Sequence, residues 1–128
     1  MTVNTFLLTC VVGLAGAGGA LSRYLLGRFI AGHAGSRFPL GTLLINVTGA
    51  LAIGVLFSLT ARGLLSSQLQ IILATGFLGG YTTFSTMSWE ALQLMRMGSL
   101  RASLLYLGGN LGPGLAAAAL GLALGQWL

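Results

Sequence analysis

The residues best suited to chemistry lie together near the middle of the chain, where hydroxyl side chains follow the adjacent glycines Gly79 and Gly80. Two glycines in a row permit unusual backbone angles, so they predict a break in a helix whose flanks are apolar. A break frees peptide groups that hydrocarbon cannot satisfy, and half-helix ends of this kind hold ions within membranes. The stretch at 75–90 therefore predicts an ion site inside a bilayer.

The polar side chains predicted at mid-membrane depth indicate which ion would bind. They are Asn46, Thr82, Thr83, Ser85, Thr86, Ser88, Tyr106 and Asn110. Hydroxyl and amide groups donate hydrogen bonds, the edge of the Phe84 ring carries partial positive charge, and the chain has no ring of carboxylates to attract a cation. These groups favour a small, strongly hydrated anion, although freed backbone carbonyls near Gly79 could hold a cation instead.

Three residues are open to both a structural and a functional interpretation. Asn46 in an apolar span needs a polar partner, which is either another helix or an anion in a pore. Arg23 ends the first apolar stretch, so its guanidinium either reaches the interface or attracts anions in a vestibule; its position favours the first. Glu90 is the only acid and a functional candidate by default, but it follows the predicted break by about two turns and is expected near the interface.

The elements that must position these residues follow from composition. Hydrophobic residues make up 55% of the 128 residues and charged residues 5%, against roughly 25% charged residues in soluble proteins. A membrane span needs about 20 apolar residues. Four segments meet this requirement, at about 3–30, 40–61, 68–97 and 100–127. We therefore predict an all-α membrane protein, a single domain over residues 1–128, with four transmembrane helices, the third broken mid-membrane, and a loop at 31–38.

Charge and residue counts argue against several other classes of protein. The net charge is +5, but the six arginines are scattered near the ends of apolar segments, as membrane topology requires, so no nucleic-acid partner is expected. One glutamate and one histidine provide neither a carboxylate pair nor a triad, so the chain is not expected to be an enzyme. Glycine-rich faces on several segments predict close helix association, as a homodimer or a larger assembly.

Three blocks of sequence carry a family resemblance, at 18–24 (GGALSRY), 41–46 (GTLLIN) and 75–86 (TGFLGGYTTFST). Through these blocks the chain resembles the Fluc (CrcB) fluoride channels over nearly its whole length, and the third block is the most specific. The resemblance implies an antiparallel, dual-topology homodimer with two fluoride pores in the bacterial inner membrane. Such a channel would let fluoride leave passively and so lower cytoplasmic fluoride.

The resemblance also implies roles for individual residues. A structural sodium ion (Na+) at the dimer axis would be held by the backbone carbonyls of Gly79 and Thr82 from each subunit. The pore is predicted to be lined by Asn46, Thr83, Phe84, Ser85, Thr86, Met87, Tyr106 and Asn110. Arg23 and Thr42 would lie toward a vestibule. Met87 stands where the family usually has a second phenylalanine, and the usual serine near Gly114 is missing.

Other readings of the sequence stay open at this point. Four arginines, at 28, 37, 96 and 101, fall on one predicted side of the membrane and Arg62 on the other. Such a bias opposes dual insertion, so the partner could be an oppositely oriented homologue. A small dual-topology proton-coupled multidrug exporter would need a central carboxylate, for which only Glu90 is available. A non-transporting membrane scaffold would use the small residues for packing alone.

Overall fold

A computed structural model describes residues 4–34 and 38–128, which are almost entirely helical. In chain order the elements are α1 (Thr5–Ala34), α2 (Leu40–Ala61), α3 (Ser67–Gln70), a π-helical segment (Ile71–Leu78), α4 (Gly79–Tyr81), α5 (Ser85–Arg96) and α6 (Leu100–Trp127). The run at 67–81 is continuous, so it and α5 form the two halves of one broken helix. Residue 3, at the start of the first predicted span, and residues 35–37 of the predicted loop, including Arg37, lie outside the described residues.

Within the described residues, three helices are long and apolar enough to cross a membrane: Thr5–His33, Leu40–Ala61 and Leu100–Trp127. The last two have the predicted bounds. The loop prediction at 31–34 is wrong, because α1 continues to Ala34. Its last turn is held by His33, whose Nδ1 lies 2.8 Å from the carbonyl oxygen of Phe29 and whose ring lies 4.3 Å from the Phe29 ring, centroid to centroid.

The predicted break exists, but its predicted place at Gly79–Gly80 is wrong. Both glycines are helical, and the chain leaves the helix at Thr82, whose ψ is 159°. Gly80 serves packing instead, since a Cβ there would overlap the carbonyl group of Gly16 on α1. Glycine in a helix costs about 1 kcal/mol relative to alanine, and here the close approach of two helices offsets that cost.

Hydroxyl side chains explain why the helix ends after Tyr81. The Thr82 hydroxyl donates to the carbonyl of Leu78 at 2.9 Å, and the Thr83 hydroxyl accepts from the backbone N–H of Thr86 at 3.1 Å. Short polar side chains compete with the helical ladder in this way, and the second bond satisfies a donor in the first turn of α5. The break therefore lies at the two threonines, and the two glycines belong to the helix before it.

Small residues also bring α2 and α6 together, and these helices carry four further predicted site residues: Thr42, Asn46, Tyr106 and Asn110. A Cβ at Gly54 would overlap the carbonyl of Ala118, and one at Gly121 would overlap the carbonyl of Leu51. Close backbone approach of this kind is how membrane helices gain packing energy without a hydrophobic driving force. The two helices are thereby fixed relative to each other, and α6 also contacts α5 directly, where the Ser103 hydroxyl donates to the Ala91 carbonyl at 2.8 Å.

Candidate ion pathway

The peptide group at the break is held by one side chain of α2. Asn46 accepts a hydrogen bond from the Thr83 N–H through Oδ1 at 2.9 Å and donates to the Thr83 carbonyl through Nδ2 at 3.0 Å. A carboxamide offers the same donor and acceptor as a peptide, so Asn46 replaces the partners that the helix no longer supplies. In a bilayer each unsatisfied peptide group costs several kcal/mol, which makes this pair central to the break.

The remaining Nδ2 hydrogen of Asn46 connects the break to α6. It donates to Oδ1 of Asn110 at 2.9 Å, and Nδ2 of Asn110 in turn donates to the carbonyl of Tyr106 at 2.9 Å. Of the two interpretations of Asn46 that spacing left open, these contacts show the interhelical one. The amide hydrogens of Asn46 are then all engaged with protein.

Three hydroxyl groups lie directly after the break. The Thr83 hydroxyl donates to Oγ1 of Thr86 at 3.0 Å, and Oγ of Ser85 lies 3.4 Å from the same Thr83 oxygen. A hydroxyl has one hydrogen. The Thr83 hydroxyl donates its hydrogen to Thr86, so the Thr86 hydroxyl hydrogen is available to another acceptor. Ser85 and Thr86 are both exposed at the surface of the single chain, so their hydroxyls can donate to a bound species.

Two cavities lie beside the break. The first, of about 630 Å³, is lined by Arg23, Arg28, Thr42, Thr83, Thr86 and Glu90 among others. The second, of about 370 Å³, is lined by Asn46, Gly79, Thr82, Thr83, Phe84 and Met87 among others. Of the described residues that line these two cavities, Thr83 is the one they share. Thr83 therefore forms part of the wall of both cavities.

The first cavity contains one carboxylate, Glu90, which sequence reasoning did not bring into the site. Glu90 lines the cavity together with Arg23, and its Oε1 accepts from the Thr42 hydroxyl at 2.5 Å and from the Tyr106 hydroxyl at 3.5 Å. The available signal was the helical spacing of Thr86 and Glu90, which places them on one face of α5. Thr42 lies 48 residues before Glu90 in the chain, so the sequence did not show that the two side chains are in contact.

The other predicted pore residues differ in position. Phe84 has 78% of its surface exposed, whereas Tyr106 is 0% exposed. Tyr106 belongs to a core cluster with Ala91 and Leu94, against which Met87 packs. Tyr106, Asn110 and Ser85 are not among the residues that line the two cavities, so the structure groups Asn110 and Tyr106 behind the pathway and Ser85 on the outer surface.

The predicted cation ligands can be tested for fit to a sodium ion. Gly79 and Thr82 both line the second cavity, and the extended ψ of Thr82 takes its carbonyl out of the helical direction. Unwound backbone carbonyls are suitable ligands for sodium in membrane proteins. Carbonyl oxygens are therefore suitable ligands for sodium at this position. Two carbonyls are fewer ligands than a hard cation takes, so one chain can supply only part of such a site.

Fold and site together define a small helical membrane protein with a polar path beside a broken helix. A family model described as CrcB-like protein, Camphor Resistance (CrcB), matches residues 10–122. The chain therefore belongs to the CrcB family.

Three relatives illustrate the similarity, and each is called fluoride-specific ion channel FluC. The one from Thermus thermophilus is 44% identical over 125 residues, covering 98% of this chain and 96% of the relative. The one from Nitratidesulfovibrio vulgaris is 44% identical over 117 residues, covering 91% and 94%. The one from Agrobacterium fabrum is 43% identical over 117 residues, covering 91% and 94%.

Proposed function

We propose that this chain is a subunit of a fluoride-selective channel through which fluoride leaves the cytoplasm passively. The observation that carries the proposal is the position of Thr83, which lines both a cavity that contains Arg23 and Arg28 and a second cavity beside the broken helix. The names of the relatives support the choice of ion. No covalent chemistry is proposed, since the site offers hydrogen-bond donors and not a nucleophile with its base.

The donors at the break suit fluoride for a physical reason. A small anion holds its water tightly, so a path through the bilayer must replace that water with closely placed donors. The hydroxyls of Ser85 and Thr86 and the edge of the Phe84 ring can do so without a fixed charge that would trap the ion. We propose a pore lined by Asn46, Thr83, Phe84, Ser85, Thr86 and Met87, with Tyr106 and Asn110 behind its wall and with Arg23 and Thr42 in the vestibule.

We further propose that two subunits are needed, with the broken helix as the third of the four spans of each. In a lone chain the hydroxyls of Ser85 and Thr86 are exposed, and in hydrocarbon polar groups need a protein or water partner. A second copy in antiparallel orientation, or an oppositely oriented homologue, would cover them and close the second cavity. The proposed location is the bacterial inner membrane.

Covering by a second copy would also complete the proposed sodium site. The carbonyls of Gly79 and Thr82 from two subunits would make four oxygens facing one another at the dimer axis. The ion would act structurally, by satisfying carbonyls that the break leaves without helical partners. Replacing sodium by a large organic cation is expected to weaken dimer stability, as measured by the dimer fraction in detergent at fixed protein concentration.

Release of fluoride from liposomes tests the proposed function. Purified protein is reconstituted into vesicles loaded with potassium fluoride, and valinomycin is added so that charge does not limit efflux. A fluoride electrode is expected to record release far faster than from protein-free vesicles, while chloride-loaded vesicles release little. Fluoride release no faster than from empty vesicles would reject the proposal, and equal release of chloride would reject the selectivity.

A further inference from the structure

The Asn46 carboxamide depends on a residue of another helix for its orientation. Its Nδ2 donates to the Thr83 carbonyl at 3.0 Å and to Oδ1 of Asn110 at 2.9 Å. Asn110 itself is buried, with 8% of its surface exposed, and its Nδ2 donates to the Tyr106 carbonyl one turn earlier at 2.9 Å. The backbone of α6 therefore fixes which end of the Asn110 amide faces Asn46.

We propose that Asn110 is a positioning residue of the ion pathway. It holds the Asn46 carboxamide against the Thr83 peptide and so fixes the place of Thr83 between the two cavities. The proposal rests on the proposed function, in which an anion passes Thr83, and it adds a residue that acts through another without touching the ion. It also implies that the donors available to the anion near the break are hydroxyls and not the Asn46 amide.

Position 110 needs a group that can accept from Asn46 and also be held in place. A carboxamide meets both needs, because one end donates to a helix carbonyl while the other end accepts. Without the acceptor, one Nδ2 hydrogen of Asn46 is left unsatisfied in apolar surroundings. Asn46 can relieve that cost only by rotating toward another acceptor, and rotation gives up its bonds to the Thr83 peptide.

Fluoride flux in three variants tests the role. Asn110→Ala is expected to lower flux by about tenfold or more, since a buried donor loses its partner. Asn110→Ser is expected to retain more flux than Asn110→Ala, because a hydroxyl can donate to the Tyr106 carbonyl and still accept from Asn46. Ser103→Ala is the matched control: it removes a buried bond from the same helix, to the Ala91 carbonyl at 2.8 Å, and should leave flux near that of the unchanged protein.

Two nuclear magnetic resonance measurements separate positioning from a general loss of stability. In the unchanged protein both Nδ2 protons of Asn46 should carry hydrogen-bonded shifts. In Asn110→Ala one of them should move to the position of an unbonded amide, and the Thr83 N–H should exchange with solvent about tenfold faster. Ser103→Ala should change neither signal.

The outcomes distinguish the two proposals. Fluoride flux absent from the unchanged protein would reject the proposed function alone, and the Asn46 signals would still decide the positioning role. An unbonded Nδ2 proton on Asn46 in the unchanged protein would overturn the positioning role, and this measurement needs no variant to fold. The positioning role would also be overturned if Asn110→Ala had the same fluoride flux and the same Thr83 N–H exchange rate as the unchanged protein.

Discussion

Replacing Asn46 by aspartate changes the contacts at the break with little change in volume. The Oδ1 that accepts from the Thr83 N–H at 2.9 Å is kept. The Nδ2 that donates to the Thr83 carbonyl and to Oδ1 of Asn110 is replaced by oxygen. An ionised carboxylate only accepts hydrogen bonds, so its new oxygen would face two other acceptors. We therefore expect Asn46→Asp to change the conformation of the chain at Thr83 as well as to remove two hydrogen bonds.

The magnitude follows from the bonds that are lost. Two acceptors lose their donor, and a buried unsatisfied group costs about 1–3 kcal/mol, which gives roughly 2–6 kcal/mol in all. If that cost falls on the conducting arrangement, fluoride flux should decrease by about thirtyfold or more. Repulsion between the carboxylate and the anion acts in the same direction.

The assay compares variants at equal protein-to-lipid ratio. Fluoride release is followed with an electrode, and thermal unfolding is followed by tryptophan fluorescence. Asn4→Asp is the matched control, because Oδ1 of Asn4 only accepts from the Phe6 N–H at 2.8 Å, a bond that a carboxylate also makes. Wild-type flux together with wild-type thermal stability in Asn46→Asp would refute the reasoning, since neither Nδ2 bond would then matter to the break.

Three further changes give expected outcomes. Gly80→Ala should prevent the close approach of α1 and lower the yield of monodisperse protein. Gly112→Ala is the control and should leave the yield unchanged, because its Cβ would meet nothing within 4 Å. Equal yields from the two variants would contradict the packing argument. Glu90→Gln keeps an acceptor for Thr42 and should leave much of the fluoride flux intact, as liposome release would show, while abolished flux would assign the charge itself a role. Arg23→Ala should reduce the initial rate of release at low salt more than at high salt, because screening removes long-range attraction; equal reduction at both would exclude attraction of anions by this residue.

The sequence was sufficient for elements whose signal is local. The bounds of α2 and α6 follow from apolar runs that begin and end at polar or turn residues, and the structure confirms them. The end of α1 was placed too early, because Gly32 suggested a loop where a Phe29–His33 contact holds another helical turn. Such a contact adds stability that residue propensity alone does not show.

Contacts between distant segments account for what the sequence could not give. Gly80 has the same local pattern whether it breaks a helix or lets two helices approach, and the position of Gly16 shows that it serves the approach of α1. Asn46 likewise had the spacing for either of two roles until Thr83 and Asn110 were placed around it. The family resemblance supplies candidate residues, but not the bonds that hold them.

The π-helical segment Ile71–Leu78 has a consequence for changes in chain length. Its hydrogen bonds join residues i and i+5 instead of i and i+4. Each turn of the segment therefore contains more residues than a turn of α-helix. If one residue is deleted there, the segment can convert to ordinary α-helix. We expect the residues that follow it to move little along the helix axis. The same deletion within Ser85–Arg96 has no such slack and would rotate every later side chain by about 100°.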